Sequence, residues 1–143
     1  MKMAIASDHG GFELKEHMKI FLEGRGYEVI DLGTYSEESV DYPVYAKACA
    51  DAVMAGTAQR GIVICGTGIG VSIAANKVKG IRCALCTDTN MAAMASRHND
   101  ANILAMGGRT TDFETAEAIT DTWLNTTFEG GRHQRRVDML NNM

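Results

Sequence analysis

Residues 61–77 read GIVICGTGIGVSIAANK, and this stretch decides the fold. Its first five residues are apolar almost without a break, as in a strand covered on both faces. Cys65 closes the run, and Gly66, Gly68 and Gly70 follow at alternate positions. VSIAANKV then has the composition of a helix. Strand, glycine loop and helix in that order make one unit of a parallel α/β sheet. Free N–H groups and the positive end of the helix dipole point into such a loop. The loop is suited to an oxyanion or a phosphate; the plainer alternative is a tight strand–helix turn that binds nothing.

The same rhythm runs outward in both directions. KMAIAS (2–7) reads as a strand. FELKEHMKIFLEG (12–24) places Leu14, Met18, Phe21 and Leu22 on one helical stripe and stops at Gly24 and Gly26. YEVIDL (27–32) alternates as a strand does, and 33–41 is a loop. YPVYAKACADAVMAG (42–56) is a helix opened by Pro43, a residue tolerated in a first turn. Beyond the glycine loop come strand IRCALC (81–86), helix NMAAMASRH (90–98), strand NILAM (102–106), helix FETAEAITDTWLNT (113–126) and a short helix over about 132–141. This alternation predicts a doubly wound, Rossmann-like α/β fold. One domain over 1–143 would hold a parallel sheet of about five strands with helices on both faces.

Composition excludes several classes. With 143 residues, 45% hydrophobic and 22% charged, the chain can build a core like an ordinary globular protein. A net charge of −4 argues against a nucleic-acid partner. No run of about 18 apolar residues is present, so no membrane span is expected. MKMAIASDHGG is too short and too soon interrupted for a signal peptide, and the expected location is the cytoplasm. One basic cluster runs against the overall balance: GGRHQRR (130–136), either a solvated helix end or a clamp for a small anion. Cysteines stand at 49, 65, 83 and 86. Cytoplasmic disulfides are not expected. Cys83 and Cys86, three apart on a strand, face opposite sides, and no second ligand pair accompanies them, so no metal is expected.

Ligands of doubly wound sheets bind beyond the carboxyl ends of the strands. Ser7-Asp8-His9-Gly10-Gly11, Cys65 to Gly70, Thr87-Asp88 and Gly107-Gly108-Arg109 fall there. Arg97-His98-Asn99-Asp100, at the end of the helix before the fifth strand, is expected to join them in one pocket. The glycine loop is not a P-loop, because G-x-x-x-x-G-K-[ST] is absent. The third glycine of a dinucleotide fingerprint would fall at 71, where Val71 stands. Asp88 lies at about the distance of that fingerprint's ribose contact, which keeps a nucleotide-binding module open.

A free cysteine is usually a small buried hydrophobe. At a strand end beside helix N-terminal amides, however, a thiolate is stabilised, and Cys65 becomes a candidate nucleophile or base. A cysteine-phosphatase loop needs arginine at 71, again the position of Val71. An acyl-transfer enzyme would pair the thiol with His9 or His98, but the arginines point to a phosphate. A general base beside an oxyanion hole remains, the equipment for abstracting a proton next to a carbonyl. His98 is either a partner of the helix dipole or, with Asn99, an acid/base for sugar hydroxyls.

SDHGG (7–11), DYP (41–43), ICGTGIGVSIAANK (64–77), SRHNDANILAMGGR (96–109) and EGGRHQRR (129–136) together resemble the ribose-5-phosphate isomerase B family, which includes galactose-6-phosphate isomerase subunits. The likeness runs end to end. It implies aldose–ketose isomerisation of a sugar phosphate, ribose 5-phosphate first, with no metal, nucleotide or other cofactor. By this resemblance Cys65 is the base that moves a proton between C1 and C2 through a cis-enediolate. Gly66, Thr67, Gly68, Ile69 and Gly70 form the loop that holds the enediolate oxygen. His98 opens the furanose ring with Asp8 close by, and Asn99 contacts sugar oxygens. His9, Arg109, Arg132 and Arg136 bind phosphate, and Tyr42 lines the pocket. Arg135 occupies a position that need not be basic. The resemblance also implies a homodimer or homotetramer with the site at a subunit interface, where the helix at 132–141 would lie. A 6-phosphate of allose or galactose is the alternative substrate, and a non-catalytic partner subunit is disfavoured because the whole catalytic set is present.

Overall fold

The computed structural model describes residues 1–143. Five strands, β1 (Lys2–Ser7), β2 (Glu28–Asp31), β3 (Arg60–Cys65), β4 (Cys83–Leu85) and β5 (Ile103–Gly107), form one wholly parallel sheet in the order β2-β1-β3-β5-β4. The helices are α1 (Phe12–Gly24), α2 (Tyr42–Met54), α3 (Ile69–Asn76), α4 (Thr89–Arg97), α5 (Phe113–Asn125) and α6 (Arg132–Asn141). The doubly wound α/β expectation holds. The last strand in sequence is not at the edge: β5 inserts between β3 and β4, so β3 is central.

Alternation along each strand divides the core. Met3, Ile5, Ile62, Ile64, Leu104 and Met106 point to the face covered by α1, α4 and α5. There they meet the Leu14, Met18 and Leu22 stripe and the fully buried Trp123, whose indole N–H donates to the Ala101 carbonyl at 3.0 Å. Truncating Trp123 to alanine should cost about 3–5 kcal/mol in urea unfolding. The opposite face presents Ala4, Ala6, Val63, Cys65, Ile103 and Ala105 to Ala46, Cys49, Ala50, Val71 and Ala75 of α2 and α3. Small residues on both sides let these two helices lie close to the sheet. No helix is long and apolar enough to cross a membrane.

Most boundaries shift by one or two residues, and two of the shifts have a clear cause. Helix α3 begins at Ile69, two residues early, because Gly68 takes φ +81° and turns the chain directly into the helix. Strand β4 shrinks to three residues because side chains replace its ladder. The Arg82 N–H donates to the Asn102 side chain at 2.7 Å. On the free edge, the Asn76 amide accepts from the Cys83 N–H (2.7 Å) and donates to the Cys83 carbonyl (3.0 Å), as a neighbouring strand would.

Candidate active site

The ends of β1, β3 and β5 meet at the C-terminal edge of the sheet. Cys65 pairs in register with Gly107. The chain beyond is then cross-braced: the Gly108 N–H donates to Cys65 O (2.8 Å), Arg109 N–H to Gly66 O (3.0 Å) and Asp8 N–H to Ile64 O (3.2 Å). The approach is so close that a Cβ on Gly68 would lie 2.8 Å from the Met106 carbonyl carbon, and one on Gly108 would lie 2.6 Å from Gly10 O. Glycine at these positions is required by packing as well as by the left-handed backbone of Gly68.

Cys65 is 5% exposed, and its sulfur accepts the Gly68 N–H at 3.2 Å. The Thr67 hydroxyl oxygen accepts from the Ile69 N–H at 3.2 Å, and its own proton stays free to donate. The amides of Gly66, Thr67, Gly70 and Val71 have no partner within the chain, and the last two lie in the first turn of α3, where free helix N–H groups favour an anion. Asp8 is buried and caps the 3-10 turn over His9–Gly11, accepting from Gly10 N–H (2.9 Å) and Gly11 N–H (3.2 Å) through one oxygen. His9 accepts the Val40 N–H on Nδ1 at 3.1 Å, so the neutral ring carries its proton on Nε2 as a donor. The Arg109 guanidinium lies over Gly66 and Gly10 without a carboxylate partner. The Tyr42 ring, 40% exposed, lies against Gly70.

His98, Asn99, Arg132 and Arg136 are elsewhere, and the expectation of one pocket at the strand ends is corrected. Helix α4 starts at the C-terminal edge, capped by Asp88, and runs about 13 Å back across the sheet. His98 at its end therefore sits at the N-terminal edge, beside the start of β5. Arg82, just before β4, holds that turn by donating to Asn99 O (3.1 Å) and Asp100 O (2.8 Å). The Asn141 side chain accepts from Arg82 at 2.7 Å and ties α6 to the same edge, with exposed Arg132 and Arg136 on it. Asp8 and His98 of one chain are thus not neighbours.

The reading of GGRHQRR as an arginine cluster overlooked His133. Its ring stacks on His98 with centroids 4.3 Å apart and planes 12° from parallel. The legible signal was its spacing of four from Val137: both are buried on one face of α6, while the arginines are not. Donor atoms of His98, Glu129 and His133 lie within 4.8 Å of one another. Parallel imidazoles, however, aim their in-plane lone pairs side by side, and Arg132 and Arg136 add positive charge, so the trio does not fit a cation.

The other cysteines pack between the sheet and its helices. Cys83 packs on the α2/α3 face and Cys86 on the opposite one, as the strand reading required. Burial raises Cys49 to about 12 and Cys86 to about 11, and pushes Cys83 up as well. The nucleotide-binding alternative loses its acidic residue: Asp88 accepts the Met91 N–H at 2.8 Å as a helix cap. Its strand lies two places from β3, about 10 Å across the sheet.

Residues 3–140 match the family described as Ribose/Galactose Isomerase. The chain belongs to that family. It is 50% identical over 139 residues to ribose-5-phosphate isomerase B of Escherichia coli, covering 97% of this chain and 93% of the relative. Its fold superposes with a TM-score of 0.98 on a ribose-5-phosphate isomerase B from Clostridium thermocellum, 56% identical, covering 99% of this chain and 96% of that one. A Mycoplasma genitalium ribose-5-phosphate isomerase B with bound ribulose-5-phosphate is 42% identical with a TM-score of 0.94, over 99% and 94% of the two chains. For the ribose/galactose isomerase family these likenesses reach essentially the full length of the fold, both edges included.

Proposed function

We propose that the protein interconverts ribose 5-phosphate and ribulose 5-phosphate in the cytoplasm, as a homodimer or homotetramer. Each site combines the C-terminal edge of one chain with the N-terminal edge of another. The observation that carries the chemistry is the Cys65 sulfur facing the Gly68 N–H at 3.2 Å inside the glycine loop. A thiolate there is met by an amide, and an oxyanion beside it by several more.

The steps follow from these groups. The partner's His98 takes the proton of the anomeric hydroxyl and returns one to the ring oxygen as the C1–O4 bond breaks, with the free oxygen of Asp8 at hand. The Cys65 thiolate removes the C2 proton of the open aldehyde. The electron pair moves to the carbonyl oxygen, O1, giving a cis-enediolate. The free amides of the loop, those of Gly66, Thr67 and Gly70, receive that charge, each donor being worth about 3–4 kcal/mol in comparable oxyanion holes. The thiol then delivers its proton to C1, while the hydroxyl proton passes from O2 to O1 within reach of the Thr67 hydroxyl. His9 Nε2–H, Arg109 and the partner's Arg132 and Arg136 hold the phosphate. Bidentate guanidinium contacts remote from C1 and C2 fix the sugar for reaction. The partner's Asn99, and Tyr42 beside Gly70 of the chain that supplies Cys65, complete the sugar contacts. The two-edge arrangement is supported by exposed apolar side chains at both: Ile69 and Ile73 beside the glycine loop, Met139, Leu140 and Met143 on and after α6.

The test follows ribulose 5-phosphate formation from ribose 5-phosphate in EDTA, with wild type beside Cys65→Ala. Turnover that survives the chelator and falls about 10³-fold in the variant is expected. An unaffected variant removes Cys65 as the base. No wild-type turnover on ribose 5-phosphate, with turnover on allose or galactose 6-phosphate, moves the substrate to a six-carbon sugar.

A further inference from the structure

We propose that His133 is a positioning residue for His98: its flat ring is the wall that holds the His98 imidazole in the plane from which it opens the sugar ring. The proposal rests on the isomerase reading above. His98 needs such a wall. It is the cap of α4, its N–H donates to Met94 O at 2.9 Å, and no hydrogen bond within the chain fixes its ring. The terminal torsion of a histidine is broad, and stacking at 4.3 Å removes that freedom.

His133 is itself well fixed. It is 7% exposed on the buried face of α6, one turn before Val137 at 3%. The Glu129 N–H donates to Arg97 O at 3.0 Å, joining the segment that leads into α6 to the residue before His98. The charged groups acting on the pair are Glu129, 4.0 Å from His133 Nε2, and Arg132 and Arg136 on α6, while Asp100 turns to Arg82 at 3.8 Å. Burial, and then the positive field of His98, Arg132 and Arg136, hold His133 below the ordinary histidine value, with Glu129 opposing. His133 therefore presents an uncharged aromatic face. Its buried Nε2 has no partner, so it is no link in a proton chain within the subunit. A phenyl ring should do the same work.

Two reactions of one enzyme separate this role from a general structural one. Ribose 5-phosphate is a furanose and must be opened. Ribulose 5-phosphate has its O5 esterified and is open-chained, so exchange of its C1 proton with solvent deuterium needs Cys65 but no ring opening. His133→Ala should lower kcat on ribose 5-phosphate about tenfold or more, with KM within about twofold, while deuterium exchange stays near wild type. His133→Phe should restore kcat to within about threefold, with a melting temperature no lower than wild type. The proposal is overturned if the phenylalanine variant is as slow as alanine, if alanine turns over like wild type, or if alanine loses exchange and isomerisation equally. A wild-type protein that does neither reaction overturns the isomerase reading itself.

Discussion

The two edges of this sheet are made of different materials. At the C-terminal edge the atoms proposed to react are one sulfur and a row of backbone amides, positioned by strand register and by glycines such as Gly68 and Gly108, whose neighbours lie within 3 Å of any added Cβ. At the N-terminal edge the groups proposed to touch a sugar phosphate are all helix-borne side chains: His98 and Asn99 just past α4, Arg132 and Arg136 on α6. The difference matches the demands of the chemistry. Proton transfer loses rate steeply with a misplacement of about 1 Å, and backbone locked into a sheet is the stiffest material available. A phosphate clamp works through charge and tolerates long, mobile arms; His98, the proton-transfer group proposed at that edge, is the exception and is the one side chain there held by a stacked ring.

Mixing two inactive variants breaks the comparison most decisively. Cys65→Ala and His98→Ala should each be nearly dead. Co-refolded in equal amounts, their mixed dimers carry one site with both defects and one with none, so activity should return to about a quarter of wild type. No recovery on mixing, with mixed dimers verified by mass, would mean that both edges serve one site within a single chain.

The arginines test the clamp. Arg132→Ala and Arg136→Ala should each lower kcat/KM by about 10- to 100-fold, mostly through KM, with the loss growing smaller in high salt. Arg135→Ala on the same helix should stay within about twofold of wild type. Equal losses at all three would show a diffuse positive field in place of a clamp.

Thiol chemistry tests the other edge. At pH 7–8 Cys49, Cys83 and Cys86 lie far below the pH at which they ionise, two of them at about 12 and about 11. Their alkylation should rise only as pH climbs toward those values, because the thiolate is the reactive form. Iodoacetamide at pH 7.5 should modify Cys65 alone, with inactivation tracking that single adduct and inorganic phosphate slowing it. Peptide mapping that finds another cysteine modified first would mean that Cys65 is not the most reactive thiol of the chain.

Much of the C-terminal edge was legible in the sequence because local pattern alone specifies it. An apolar run ending in Cys65-Gly-Thr-Gly has few other ways to fold, and Pro43, Gly24 and Gly26 punctuate their helices as residue chemistry demands. The strand order was not legible. Whether β5 lies inside or outside β4 depends on pairing between distant segments, and both read as short apolar strands. The misplacement of His98 has a different cause. Its position at a helix end was clear, but a helix that leaves one edge of a parallel sheet must finish at the other, and that follows from tracing the crossover. His133 was hidden by its neighbours, since three arginines in GGRHQRR draw the eye to charge. The boundaries of β4 were lost to the side chains of Asn76 and Asn102, whose amides imitate backbone.

Asn76 offers the smallest effect and the finest discrimination. Its amide satisfies the N–H and carbonyl of Cys83 on the free edge of β4, near the end of the sheet where His98 and α6 lie. Asn76→Ala leaves those two groups to water, a loss of about 1–2 kcal/mol, or about 2–8 °C in melting temperature for a domain of this size. If the N-terminal edge tolerates small displacements, kcat should stay within about twofold while stability falls. A drop in kcat comparable to that of a displaced glycine loop, such as Gly68→Ala, would show that the clamp edge is as exacting as the base edge. The division of labour between backbone and side chain would then have to be abandoned.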